Sequence, residues 1–120
     1  MTERPGPVDV TGDLPEVIER YLRAHDARDL SAAVATFAPE AAVTDDGRSY
    51  RGTEAIKGWL GRTASEYTYT TTLVRAERDD SGGYTVVRHL EGDFPGGSVD
   101  LRYRFLLAGE GLIGELVIAP

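Results

Sequence analysis

The chain changes its hydrophobic rhythm once, near its middle. Over the first half, apolar side chains recur at helical spacing, and Leu14, Val17, Ile18, Tyr21, Leu22 and His25 fall on one stripe. Asp13 stands where a helix cap belongs, Pro15 lies in the first turn and Glu16 follows three residues after the cap. A second, short helix is predicted over Leu30 to Phe37, capped by Asp29 and stopped before Pro39. Ala41 to Thr44 reads as a short strand ending at Asp45-Asp46-Gly47. A third helix starts after Thr53 and carries Ile56, Trp59 and Leu60. Gly58 and Gly61 each weaken it by roughly 1 kcal/mol relative to alanine.

After Ser65 the period drops from 3.6 to two. Thr68 to Arg78 is rich in Thr, Tyr and Val and is expected as a strand, and Tyr84 to Glu91, Val99 to Leu107 and Leu112 to Ala119 are the strands expected after it. Glycine-bearing turns at 80–83, 94–97 and 109–111 join them into an antiparallel meander. Helices first and strands later give an α+β class, with the helices covering one face of a curved sheet. Residues 1–12, with Pro5, Gly6, Pro7 and Gly12, read as a flexible arm, which leaves 13–120 as a single domain.

Composition narrows the function classes. A chain of 120 residues with 41% hydrophobic content has apolar mass for one core. It has no Cys, which removes disulfides, thiolate metal sites and a cysteine nucleophile together. Two His are too few for a usual zinc site, so no metal and no cofactor is expected. Thirteen basic against 20 acidic residues give a net charge of −7, which repels phosphate backbones; no nucleic-acid partner is expected. No apolar run approaches the ~20 residues that span a bilayer, so no membrane partner is expected. The opening MTERPGPVDVTGD has no apolar h-region, which makes the cytoplasm the default location.

The segments RYLRAHDARDL (20–30), TFAPEAAVTDD (36–46), RGTEAIKGWL (51–60) and YRFLLAGEGLI (103–113) together resemble the nuclear transport factor 2-like superfamily. Ketosteroid isomerases, scytalone dehydratase and SnoaL-like polyketide cyclases share that fold. The resemblance covers about residues 14–119 and implies a cone: four long strands plus one short strand, with the three N-terminal helices on the concave face. In the isomerases a Tyr on the first helix and an Asp after the first short strand do the chemistry; Tyr21 and Asp45 match both, and Trp59 matches a pocket aromatic. Two departures stand against them. The isomerase position for a protonated Asp, two residues before Tyr103-Arg104-Phe105, is Leu101 here, and a supporting Tyr on the third helix falls at Leu60. Half of that oxyanion hole is missing. The fold hosts enzymes, binding modules and interaction proteins alike.

The candidate site residues follow. Asp45, beside apolar walls, suits proton abstraction, or else Asp45 and Asp46 are turn residues bonding their own backbone. Tyr21 donates to a ligand oxygen or packs in the core. His25, one turn after Tyr21 on the same face, is an acid/base partner of Asp45 or closes the helix end. Arg88 and His89 point to opposite faces of one strand. Tyr84, Val86, Arg88 and Leu90 form the more apolar set, so Arg88 is assigned to the interior, where it needs a carboxylate from the protein or from a ligand. A bulge would instead turn His89 inward. Trp59, Tyr103 and Phe105, with Phe37 and Leu116, form pocket wall or plain core. Asp100, Arg102 and Arg104 are expected on the convex face, where complementary charges suit a homodimer through the sheet.

These readings converge on a small-molecule protein with an apolar pocket: a cofactor-independent acid–base isomerase, dehydratase or cyclase. Its expected partner is an apolar molecule bearing a carbonyl or carboxylate. A non-catalytic ligand-binding or accessory protein of the same fold is the alternative, and a protein-docking module the third.

Overall fold

Asp29 starts the second helix as the sequence predicts, its carboxylate accepting from the Ala32 N–H at 3.1 Å. In the computed structural model, which describes residues 7–120 and only the backbone at 64–66, the elements run in order. They are β1 (Val8–Asp9), α1 (Glu16–Asp26), α2 (Leu30–Val34), β2 (Phe37–Asp45), β3 (Arg48–Arg51), α3 (Thr53–Glu66), β4 (Tyr69–Arg78), β5 (Tyr84–Gly92), β6 (Ser98–Leu107) and β7 (Ile113–Ala119). The class is α+β: three helices on a curved, unclosed sheet with strand order β1-β4-β5-β6-β7-β2-β3. All neighbours are antiparallel except β2 and β7.

The sheet is larger than the expected four long strands and one short. The Asp46-Gly47 pair does not end the chain's extended course but reverses it. Both residues have positive φ, 53° and 77°, the two-residue hairpin geometry that feeds β3 back along β2. Pro39 stops no helix. It lies inside β2, in the irregular stretch between the Phe37 and Ala42 pairings, where a strand tolerates a missing N–H. The second helix therefore ends at Val34, and Phe37 belongs to a strand. Part of the expected arm is also paired: Val8 faces Arg78 and Asp9 faces Glu77. Val10 and Thr11 also bond to Ala76, and residues 1–6 lie outside the described residues. Asp13 caps nothing in α1; its N–H turns back to Val10, and the Pro15 carbonyl opens the helix.

The core lies between helices and sheet. Ile18 and Tyr21 from α1, Ile56 and Leu60 from α3, and Val43, Phe105, Ile113 and Leu116 from the strands are fully buried. Tyr21 sets its ring edge-on to Phe37 and Phe105, with centroids 5.4 and 5.8 Å away. Full burial of one such side chain stabilises by about 1.5–3 kcal/mol. Strand β5 keeps its register without a bulge, so Val86, Arg88 and Leu90 face the helices. His89 faces the other way, where its Nδ1 lies 2.6 Å from Asp100.

Candidate functional site

Between α1, α3 and the sheet the interior does not close. A cavity of about 460 Å³ remains, lined by His25, Asp45, Trp59, Tyr69, Leu101 and Tyr103 among others. These six come from five elements. His25 ends the inward stripe of α1, and Asp45 ends β2. Trp59 stands on α3, Tyr69 opens β4, and Leu101 and Tyr103 alternate inward on β6. Most of the remaining wall is apolar, including Leu90, Val99 and Ile118.

Asp45 is half-buried, and the Trp59 Nε1–H donates to its Oδ2 at 2.9 Å. The bond satisfies an indole N–H in a residue only 2% exposed, and it fixes the carboxylate against α3. Tyr50 stacks on the Trp59 ring at 6.3 Å, and the Arg62 guanidinium sits 5.4 Å over Tyr50. Asp46, by contrast, is exposed in the turn. Burial pushes the Tyr69 and Tyr103 hydroxyls above the ordinary phenol value, so both remain protonated donors at neutral pH.

Tyr21 does not line this cavity. Its hydroxyl is buried without a hydrogen-bond partner, and burial, reinforced by nearby Tyr103, pushes it well above the usual phenol range. Arg88 is interior, but it too stays outside the cavity wall. Its Nη1–H donates to Asp26 Oδ2 at 2.8 Å, and its guanidinium lies 5.1 Å over the Tyr103 ring. Burial opposes the Arg88 charge, but the bond to Asp26, its negative charge and the neighbouring Tyr103 together outweigh burial and hold the group protonated. The carboxylate Arg88 requires thus comes from the chain itself. Phe105 is core beneath Tyr21, and His89 is on the opposite face of the sheet, so neither reaches the cavity. Phe37 and Leu116 are core as well.

Of the residues the sequence singles out, the fold gathers Asp45, His25, Trp59 and Tyr103 at one cavity. It adds residues that sequence reasoning passed over. Tyr69 and Thr63 line the wall, and Asp26 holds Arg88 across 62 positions of chain. Tyr69 carried a faint signal, as an aromatic at the start of an alternating strand. Asp26 carried none beyond the demand of Arg88 for an anion. Leu101 places an apolar wall where the isomerases resembled above carry an acid. Among the described residues no three His, Asp or Glu side chains converge as a metal site, and no helix is long and apolar enough to cross a membrane.

The SnoaL-like domain profile matches residues 18–108. The chain belongs to the SnoaL-like family. Its fold is that of a candidate polyketide cyclase from Sinorhizobium meliloti, 31% identical over 90% of this chain and 97% of that one, with a TM-score of 0.82. A Catenulispora acidiphila protein with a ketosteroid isomerase-like fold, solved with trimethylamine, is 22% identical over 88% of this chain and 85% of its own, with a TM-score of 0.74. A Mycobacterium tuberculosis protein solved with estradiol-17beta-hemisuccinate is 18% identical over 88% and 91%, with a TM-score of 0.72. The latter two likenesses speak for the fold alone. No curated protein sequence matches the chain.

Proposed function

We propose that this SnoaL-like protein performs cofactor-independent acid–base chemistry, an isomerisation, dehydration or cyclisation, on a small apolar molecule bearing a carbonyl. One observation carries the reading: the Asp45 carboxylate, held by the Trp59 N–H at 2.9 Å, stands in the wall of an otherwise largely apolar 460 Å³ cavity. In the proposed step Asp45 removes a proton α to the carbonyl. The developing enolate oxygen takes a hydrogen bond from Tyr103, which burial keeps protonated. Protonated Asp45 or His25 returns the proton to the product. A carbonyl fits this wall better than a carboxylate does, because no Arg or Lys is among the described lining residues and Asp45 repels a second anion. The family match and the cyclase-like structural neighbour support the same class of chemistry.

The test is a thermal-shift screen of apolar ketones, aromatic carboxylates and phosphorylated compounds, followed by turnover assays on the binders. A ligand at 100-fold its dissociation constant adds about 2.7 kcal/mol of stability. Ketones should raise the melting temperature and phosphorylated compounds should not. Binding without turnover of any binder would favour the accessory-protein reading. The open cavity speaks against the docking-module reading, which needs a filled cone. A homodimer through the outer sheet face remains part of the proposal, supported by the complementary charges of Asp100 and Arg102, which stand cross-strand from His89 and Val87.

A further inference from the structure

The two ring nitrogens of His25 have different surroundings. Nδ1 is buried and has no hydrogen-bond partner, and Asp26 Oδ1 lies 3.8 Å from it. Nε2 is not among the buried unpartnered atoms, and the ring lines the cavity. Asp26 is itself anchored. Its second oxygen, Oδ2, accepts from Arg88 Nη1–H at 2.8 Å, and the Arg88 side chain is only 5% exposed. Burial would push the Asp26 carboxyl up, but His25 and Arg88 beside it outweigh burial and hold it below the usual carboxylate range. Asp26 is therefore an anion at neutral pH. An anion beside Nδ1 makes that nitrogen the favoured seat for the single proton of a neutral imidazole and leaves the lone pair on Nε2. At 3.8 Å the contact is longer than a hydrogen bond, and hydrogen bonds between catalytic groups are often long before substrate binds and tighten in the complex.

We propose that Arg88 and Asp26 are positioning residues that fix His25 with Nε2 toward the cavity, as a second proton-transferring group beside Asp45. The proposal rests on the acid–base reading of the cavity. Nε2 takes a proton from a substrate O–H or C–H while the Nδ1 proton stays on the ring, hydrogen-bonded to Asp26. The imidazolium then gives the Nε2 proton to the acceptor carbon or the leaving oxygen, and the ring returns to its starting state. This gives the buried ion pair a task that neutralising Arg88 alone does not explain, because Asp26 Oδ1 is the oxygen left over for His25.

Long-range 1H–15N correlation spectra of the 15N-labelled protein at mildly alkaline pH read the tautomer directly. The chain has only two His. His89, with its Nδ1 2.6 Å from Asp100, is the internal reference. The expected result is an Nδ1–H tautomer for His25 in the parent protein, a measurement that needs no variant. In the Asp26→Ala/Arg88→Met double variant, which leaves no buried charge unpaired, His25 should change to the Nε2–H form while His89 keeps its signals. Asp26→Glu in the parent background, which keeps a carboxylate, should retain the Nδ1–H form. With a turned-over substrate in hand, Asp26→Ala/Arg88→Met should lower kcat by about tenfold or more with KM little changed. An Nε2–H tautomer in the parent, or a double variant with the parent's tautomer, overturns the relay and leaves Asp45 untouched. Undiminished turnover in Asp45→Asn overturns the acid–base reading and leaves the tautomer result standing.

Discussion

The Trp59 Nε1–H donates to Asp45 Oδ2 at 2.9 Å and ties the third helix to the end of β2 at the mouth of the hairpin. Asp45→Asn should abolish turnover of any substrate found, with the melting temperature little changed. Trp59→Phe removes a charge-assisted bond and should cost about 1.5–3 kcal/mol in chemical denaturation. It should also lower kcat, because the carboxylate loses its anchor. Unchanged kcat in Trp59→Phe would show that the bond serves packing alone.

Tyr21 is fully buried with its hydroxyl unpartnered. A buried, unsatisfied hydroxyl costs about 1–3 kcal/mol, so Tyr21→Phe should leave stability unchanged or raise it. A melt that falls by several degrees would mean that the hydroxyl has a partner, such as a buried water. If ligand binding opens a path to Tyr21, the same variant will also slow turnover.

Arg88 and Asp26 should respond unequally to removal. Asp26→Ala leaves a buried guanidinium without its anion and should cost about 3 kcal/mol, the low end for a broken buried pair because Asp26 is half exposed. Arg88→Met removes the buried charge itself, keeps most of the volume and should cost clearly less. Equal losses, measured by urea denaturation, would contradict the buried-charge account.

Asp79 carries an acid-side prediction. Ser81, then Arg104, bond its carboxylate and lower it from an ordinary 3.8 to about 2. A carboxyl lowered in the folded state adds stability above its unfolded value and loses it as pH falls through the folded one. The contribution is therefore present above about pH 4 and lost between about pH 4 and 2. Asp79→Asn should flatten that part of the stability-versus-pH curve, and parallel curves for variant and parent would refute the assignment.

Association is the last prediction. Light scattering at micromolar concentration should give twice the mass of one chain, and Arg102→Glu should weaken the pair by setting like charges across a two-fold interface. A single-chain mass that is independent of concentration would leave the outer face as ordinary solvated surface.

Local chemistry determined much of this protein. The stripe from Leu14 to His25, the Asp29 cap and the alternation after Ser65 state the helices, the four long strands and the α+β class, because period and capping act within a few residues. The same alternation put Arg88 inward. Other features belong to pairings between distant segments. The Asp46-Gly47 turn looks alike in sequence whether a strand stops there or doubles back, and only the partner strand decides. The parallel seat of β7 beside β2 and the pairing of Val8 with Arg78 depend likewise on where the rest of the sheet lies. Whether Tyr21 meets a ligand or Phe105 is a difference of a few ångströms in depth along one helix face. Asp26 reaches Arg88 only because the end of α1 and the middle of β5 come together in the folded chain, so the anion that this buried cation requires had no mark of its own in the sequence.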